Sequence, residues 1–306
     1  MHMLKTIATS FLLSFVLLMG APQDVRGETV GSSATDSAYR TALLELIATL
    51  QEQILLLQQE LASREASAFE PSTALEEFSE AVEVVAKYEV TGSGDSELID
   101  EPAHRDYFER MYEVMPVYYA EKFTSLQVFT GEGIYFDAFV ETLPPDYKTW
   151  RYSVHEDALG EIDSIPTTEL IVHELGHVVS LEAVPGKRLR INNSCSSYYE
   201  RNGCPPLNSY LNEFAEEFWS SEALQRAKSF ASASDTMQAV EFYYEQNADK
   251  YVTEYAAINP EEDFAETFMY FVMDYEVEGV VADEKITFFS SFSEMRELKK
   301  TVSGQL

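Results

Sequence analysis

His173 and His177 stand four residues apart in TTELIVHELGHVVSLE (167–182), with Glu174 directly after the first of them. On a helix this spacing puts both imidazoles on one face, one turn apart, with Glu174 pointing toward the same side. In this H-E-x-x-H arrangement two histidines hold Zn²⁺ and the glutamate handles a proton. The competing reading is a buried helix whose histidines are merely hydrogen-bonded. Scarcity weighs against it, because two of the chain's 5 histidines fall here. Ile171, Leu175 and Val178 lie on the opposite face, where they can pack. Pro166 suits a first helical turn, and VPG (184–186) ends the segment.

A catalytic zinc site needs a third protein ligand. The remaining histidines are His2, His104 and His155, and position 183, where a longer histidine motif would continue, is Ala. A carboxylate from another helix is therefore expected. The best candidate stretch is TEYAAINPEEDFAETFMYF (253–271). Asn259 reads as an N-cap, Pro260 as the first helical residue, and Glu261, Glu262 and Asp263 as the first turn. Phe264, Phe268, Met269 and Phe271 form a stripe that would press this helix into a core. Glu262 and Glu266, four apart, share a face. The pattern suggests Glu262 on the metal, with Glu266 accepting a hydrogen bond from a ligand histidine and fixing its tautomer. Asn259 and Glu262 also fit a capping box, in which the glutamate would turn to its own backbone. Glu261, Asp263 and Glu266 are the other carboxylates in play.

These residues resemble the gluzincin metallopeptidases, in which H-E-x-x-H on one helix is completed by a glutamate on a later one. The finer pattern of Tyr255, then Glu262, then DFAE is similar to the catalytic domains of the anthrax lethal factor family and to exported bacterial zinc metallopeptidases. The resemblance covers mainly 165–182 and 250–272. It implies one zinc on His173, His177 and Glu262, Glu174 as general base, Tyr255 facing the developing oxyanion and Glu266 behind a ligand. The substrate would be a peptide or protein. His155 is a second candidate donor to the oxyanion. The stretch between His177 and Glu262 is longer than in lethal factor, which bears on pocket shape more than on the metal.

The elements that must position these groups follow from patterning. A helix is expected near 74–88 and another near 103–115, stopping at Pro116. SLQVFTG, IYFDAFVETL and TWRYSVHE, between 122 and 156, are rich in β-branched and aromatic residues and read as strands. Helices are expected near 167–183, 207–230, 235–249, 261–274 and 283–300. A small sheet followed by a helical remainder is an α+β pattern, here zincin-like over 74–306. One strand of the sheet would lie over the cleft and pair with an extended substrate.

Upstream, Leu43, Ile47, Leu50, Ile54, Leu57 and Leu61 make a heptad seam of about three repeats, followed by a linker to residue 73. Self-association through 43–61 and docking on the chain's own domain fit this narrow stripe equally. Residues 1–27 read as an export signal, with Lys5 before the apolar run 7–21, which is short for a spanning helix of about 20 residues. An uncleaved membrane anchor is the alternative. Cys195 and Cys204, the only cysteines, flank a polar loop and would pair as a disulfide in an oxidising compartment. The expected location is outside the cell or in a bacterial cell envelope.

With 53 acidic against 21 basic residues the formal charge is −32, which argues against nucleic acid or an anionic membrane surface as partner. There is no calcium-loop motif. The main rival to a peptidase is a non-catalytic zinc-binding surface module whose working part is the heptad helix. The intact Glu174 argues against it, since a site without catalysis has no chemical need for that base.

Overall fold

The computed structural model describes residues 82–91, 99–131, 136–144, 148–186, 206–230 and 236–306. All belong to the unit Pro71–Leu306. The export signal, the heptad seam at 43–61 and the pair Cys195 and Cys204 lie outside the described residues. The architecture is α+β, a small mixed sheet followed by a mostly helical remainder.

Four strands form the sheet: β1 (Glu83–Glu89), β2 (Phe123–Thr130), β3 (Ala138–Leu143) and β4 (Thr149–His155), in spatial order β1-β2-β4-β3. β2 runs parallel to β4, while β1 against β2 and β3 against β4 are antiparallel. β2 is central and hydrophobic on both faces, with Phe123, Leu126, Val128 and Phe129 fully buried, as expected for a strand covered on both sides. β3 is an edge: one side pairs with β4, and among the described residues no strand pairs with the other.

β1 replaces the described end of the helix expected near 74–88, whose first part, 74–81, lies outside the described residues. In EVVAKYE the inner positions Ala86 and Tyr88 alternate with exposed Lys87 and Glu89, a period of two that fits a strand. Adjacent Val84 and Val85 favour extended backbone, and a bulge between Val84 and Ala86 absorbs the break in register.

Between β1 and β2 come α1 (Pro102–Val114) and the single turn α2 (Val117–Ala120). α1 buries Tyr107, Phe108, Met111 and Val114. Tyr107 and Phe108 meet Tyr152 of β4 at ring-centroid distances of 6.2 and 6.3 Å, so helix and sheet share one aromatic core.

The helical part is α3 (Ile165–Ser180), α4 (Tyr210–Phe218), α5 (Ser221–Phe230), α6 (Thr236–Glu245), α7 (Pro260–Met273), α8 (Val280–Ser291) and α9 (Ser293–Ser303). Two expected long helices are each broken in two. Trp219 adopts φ −110°, ψ 107° between α4 and α5 and donates its indole N–H to Asp263 at 2.8 Å. Phe292 does the same at φ −92°, ψ 130° between α8 and α9, with its ring 5.0 Å from Tyr210 and 5.1 Å from Phe288. In both cases the packing of an aromatic ring against the core outweighs the local preference to continue a helix.

α7 is the centre of this half, packed against α3, α4, α8 and α9. Its polar anchor is Asp263, 0% exposed, paired with Lys285 of α8, 1% exposed, at 2.6 Å. Lys285 also donates to the Lys250 carbonyl at 2.6 Å, and Thr267 donates to Asp263 at 3.3 Å. Removing one partner of a buried ion pair strands the other charge, at a cost of about 3–5 kcal/mol. Lys285→Met is therefore expected to lower the unfolding free energy by that amount in denaturant titration. A loss under 1 kcal/mol, the range of an exposed pair, would contradict this role for Asp263.

Candidate metal centre

α3 and α7 carry the site. Ser164 caps α3, its hydroxyl accepting the Thr167 N–H at 3.2 Å, and Pro166 occupies the first turn. Asn259 caps α7, its side-chain oxygen accepting the Glu262 N–H at 2.9 Å, with Pro260 at the helix start. The two helices run antiparallel, with His173 opposite Glu266 and His177 opposite Glu262. They touch backbone to backbone at Gly176, where a Cβ would sit 2.9 Å from the Ala265 Cα. Only glycine permits this approach. Gly176→Ala must push the helices apart, an overpacking worth about 1–3 kcal/mol, and it separates groups that work across the gap. Its expected effect is a lower unfolding temperature together with weaker metal binding, read by thermal denaturation and chelator competition. Metal affinity equal to wild type would show that the crossing does not set the site.

His173, His177 and Glu262 bring together one ligand atom each. The two Nε2 atoms are 3.1 Å apart, and Glu262 Oε2 lies 3.3 Å from one and 3.4 Å from the other. Ligand atoms about 2.0–2.1 Å from a tetrahedral ion are spaced about 3.3 Å apart. The triangle has the size that a metal of this kind requires. Glu262 Oε2 is buried and meets the two ring nitrogens only at distances too long for a well-formed charge-assisted hydrogen bond, and a buried carboxylate oxygen held so is costly. A cation at the centre of the triangle removes that cost, so the donor set fits a divalent metal.

The outer contacts fix how the ligands present themselves. His173 donates its Nδ1–H to Glu266 Oε1 at 2.6 Å, which leaves the Nε2 lone pair facing the centre. The second oxygen of Glu266 accepts the Thr253 hydroxyl at 2.6 Å, and Thr253 Oγ1 accepts the Ala256 N–H at 3.1 Å. Glu266→Gln is expected to weaken metal affinity or activity by about 10- to 100-fold, with metal still bound at saturation. An unchanged dissociation constant would remove Glu266 from the centre.

Electrostatics agree with a cation site. Burial works against a charged His173, yet the contacts with Glu262 and Glu266 prevail and hold its proton affinity well above the usual imidazole range. His177 is raised in the same way, chiefly by Glu262. Glu262 is buried too, but the two histidines hold it below the usual carboxylate range. Without metal, the centre draws protons into the space between its ligands.

Glu174, 2% exposed, lies in the same cleft. Burial pushes its carboxyl up, with the two histidines opposing and Glu262 adding to the rise. The Val140 N–H of β3 steadies one side of it, while Oε2 has no partner. Tyr255, in the turn Tyr255–Ala257, has its ring 5.9 Å from that of His173. Burial, reinforced by the Glu262, Glu174 and Glu266 carboxylates, raises its phenol well above the ordinary value, so it remains a hydrogen-bond donor at neutral pH. These residues line a cleft of about 660 Å³ whose other wall is β3 from Ala138 to Thr142.

Three sequence readings change here. Glu262 does not complete a capping box: its backbone N–H serves the cap while its carboxylate faces the histidines. Asp263 is no ligand, because it turns to Lys285. His155 does not line the cleft. Its ring accepts the Asp157 N–H at 3.2 Å and packs 5.2 Å from Phe129. Glu261 lines the cleft outside the three-residue group. Thr253, Glu169 and Tyr275 were not anticipated. Thr253 carried a faint signal, two residues before Tyr255, whereas Glu169 and Tyr275 meet across 106 positions.

The chain matches no protein-family model, no characterised protein and no solved structure. The reading of the site rests on its geometry.

Proposed function

We propose that the chain is an exported zinc-dependent endopeptidase that hydrolyses peptide bonds in the cleft between β3 and α3. The observation that carries this is the conjunction of a ligand triangle of tetrahedral size with a buried Glu174 carboxylate beside it whose Oε2 has no hydrogen-bond partner. His173, His177 and Glu262 would hold the ion, leaving a fourth position open. Zinc in such a site supplies a Lewis acid and brings the pKa of a water to about 7.

The chain's own groups supply the rest. Glu174, buried and with its carboxyl raised above the ordinary value, takes the proton of the attacking water and returns it to the leaving amine. Tyr255, protonated, donates to the carbonyl oxygen as negative charge builds there. Apart from the Val140 N–H, which Glu174 takes, the edge of β3 would offer backbone N–H and C=O groups to an extended substrate, which adds as a strand and is held along the cleft. Glu266 and Thr253 hold His173 in orientation throughout.

The test is cleavage of an unstructured polypeptide by the zinc-supplemented full chain, with and without chelator. Cleavage that stops with chelator and returns with zinc is expected. A chain that binds zinc fully yet cuts nothing would favour the non-catalytic zinc module.

A further inference from the structure

Beyond the metal the cleft continues toward the start of α3 and the end of α7, where Glu169 and Leu170 face Met269, Tyr270 and Tyr275. Tyr275 donates its hydroxyl to Glu169 Oε1 at 2.5 Å, and its ring meets that of Tyr270 at 5.4 Å and 83°. The result is an apolar and aromatic sleeve with a carboxylate held in its wall. The Tyr275 hydroxyl positions Glu169 without neutralising it. Among the described residues no Lys, Arg or His pairs with Glu169, and no Lys or Arg lines the cleft. The other carboxylates outside the metal centre that line the cleft are Asp137, Glu141 and Glu261; Glu141 is paired with Arg151 at 2.9 Å.

Resting on the peptidase reading, we propose that this sleeve is a specificity subsite for a lysine or arginine side chain next to the bond that is cut, with Glu169 as the selecting residue. The distances suit it. Glu169 precedes His173 by one helical turn, about 6 Å along the axis, and an extended peptide advances about 3.3 Å per residue. A side chain one or two residues from the metal therefore comes level with Glu169. The aliphatic stem of Lys or Arg lies along Leu170 and Met269 while its charged head reaches the carboxylate. The neighbouring Tyr270 and Tyr275 rings favour the same cation. A glutamate side chain there would meet a like charge, and a plain aliphatic one would cover Glu169 while giving it no counter-charge.

The experiment is equilibrium binding of fluorescent peptides to the zinc-loaded Glu174→Gln chain, which holds substrate without consuming it. Peptides carry Lys, norleucine or Glu at each position around a site that the wild type cuts. Lys is expected to bind on the order of 10- to 100-fold tighter than norleucine at one flanking position, the size of a charged hydrogen bond, and Glu weaker than both. In the Glu169→Gln/Glu174→Gln chain the Lys-to-norleucine ratio should fall to about one, with zinc content and circular dichroism as in the parent. Equal affinity for Lys and norleucine, or a preference that survives Glu169→Gln, would overturn the subsite while leaving the peptidase standing. If no peptide is cut or bound by zinc-loaded chain, the peptidase reading falls and the subsite with it.

Discussion

Glu174→Gln is expected to keep its zinc and lose its proteolysis. The substitution is isosteric, so the buried space beside His173 and His177 is filled as before. What disappears is a group able to accept the water's proton, since an amide has no comparable basicity. A positioned general base contributes about 10²–10⁴-fold to rate, and kcat/KM on a peptide should fall by that factor. Zinc measured per chain should stay at the wild-type value, because Glu174 is not one of the three converging ligands. Unchanged turnover would remove the carboxylate from the chemistry. Lost zinc would mean that it ligates rather than acts as a base.

Glu262→Gln separates metal binding from folding. The cap of α7 uses the backbone N–H of residue 262 and the side chain of Asn259, and both survive the change. Loss of an N-cap costs about 1 kcal/mol, so the metal-free variant should unfold within that margin of wild type. Zinc is another matter. Glutamine is neutral and a poorer donor, and the negative oxygen facing both Nε2 atoms is gone. Outer-shell substitutions already cost about 10- to 100-fold in affinity, and loss of a direct ligand should exceed about 100-fold. Competition with a chromophoric chelator reads this directly. Equal zinc affinity in the two proteins would contradict the assignment of Glu262.

Much of this centre could be read in the sequence because its information is local. The spacing of His173 and His177 is one helical turn, and Asn259-Pro260 marks a helix start whose first turn carries Glu262. Glu266, one turn further, was legible by the same rule, and the structure sets it 2.6 Å from His173. The three strands between 122 and 156 showed themselves through β-branched and aromatic runs bounded by Gly and Pro.

What escaped depends on partners far along the chain. β1 is short and carries Ala, Lys and Glu, which suit a helix as well. Its pairing with β2, some forty positions on, decides for a strand. The breaks at Trp219 and Phe292 exist because those rings are needed elsewhere in the core. Lys285 reads as a surface lysine until Asp263 is placed beside it. His155 shows the opposite error, since a histidine near the right strands proved to cap a local turn.

The most direct measurement is the zinc content of the purified full chain, wild type and His173→Ala, after equilibration with zinc and exhaustive removal of free ion. His173 supplies one corner of the triangle and the link to Glu266. The expected result is one zinc per wild-type chain and none retained by His173→Ala. A wild-type chain that retains no zinc, or a His173→Ala chain that holds it in full, would contradict the account at its centre.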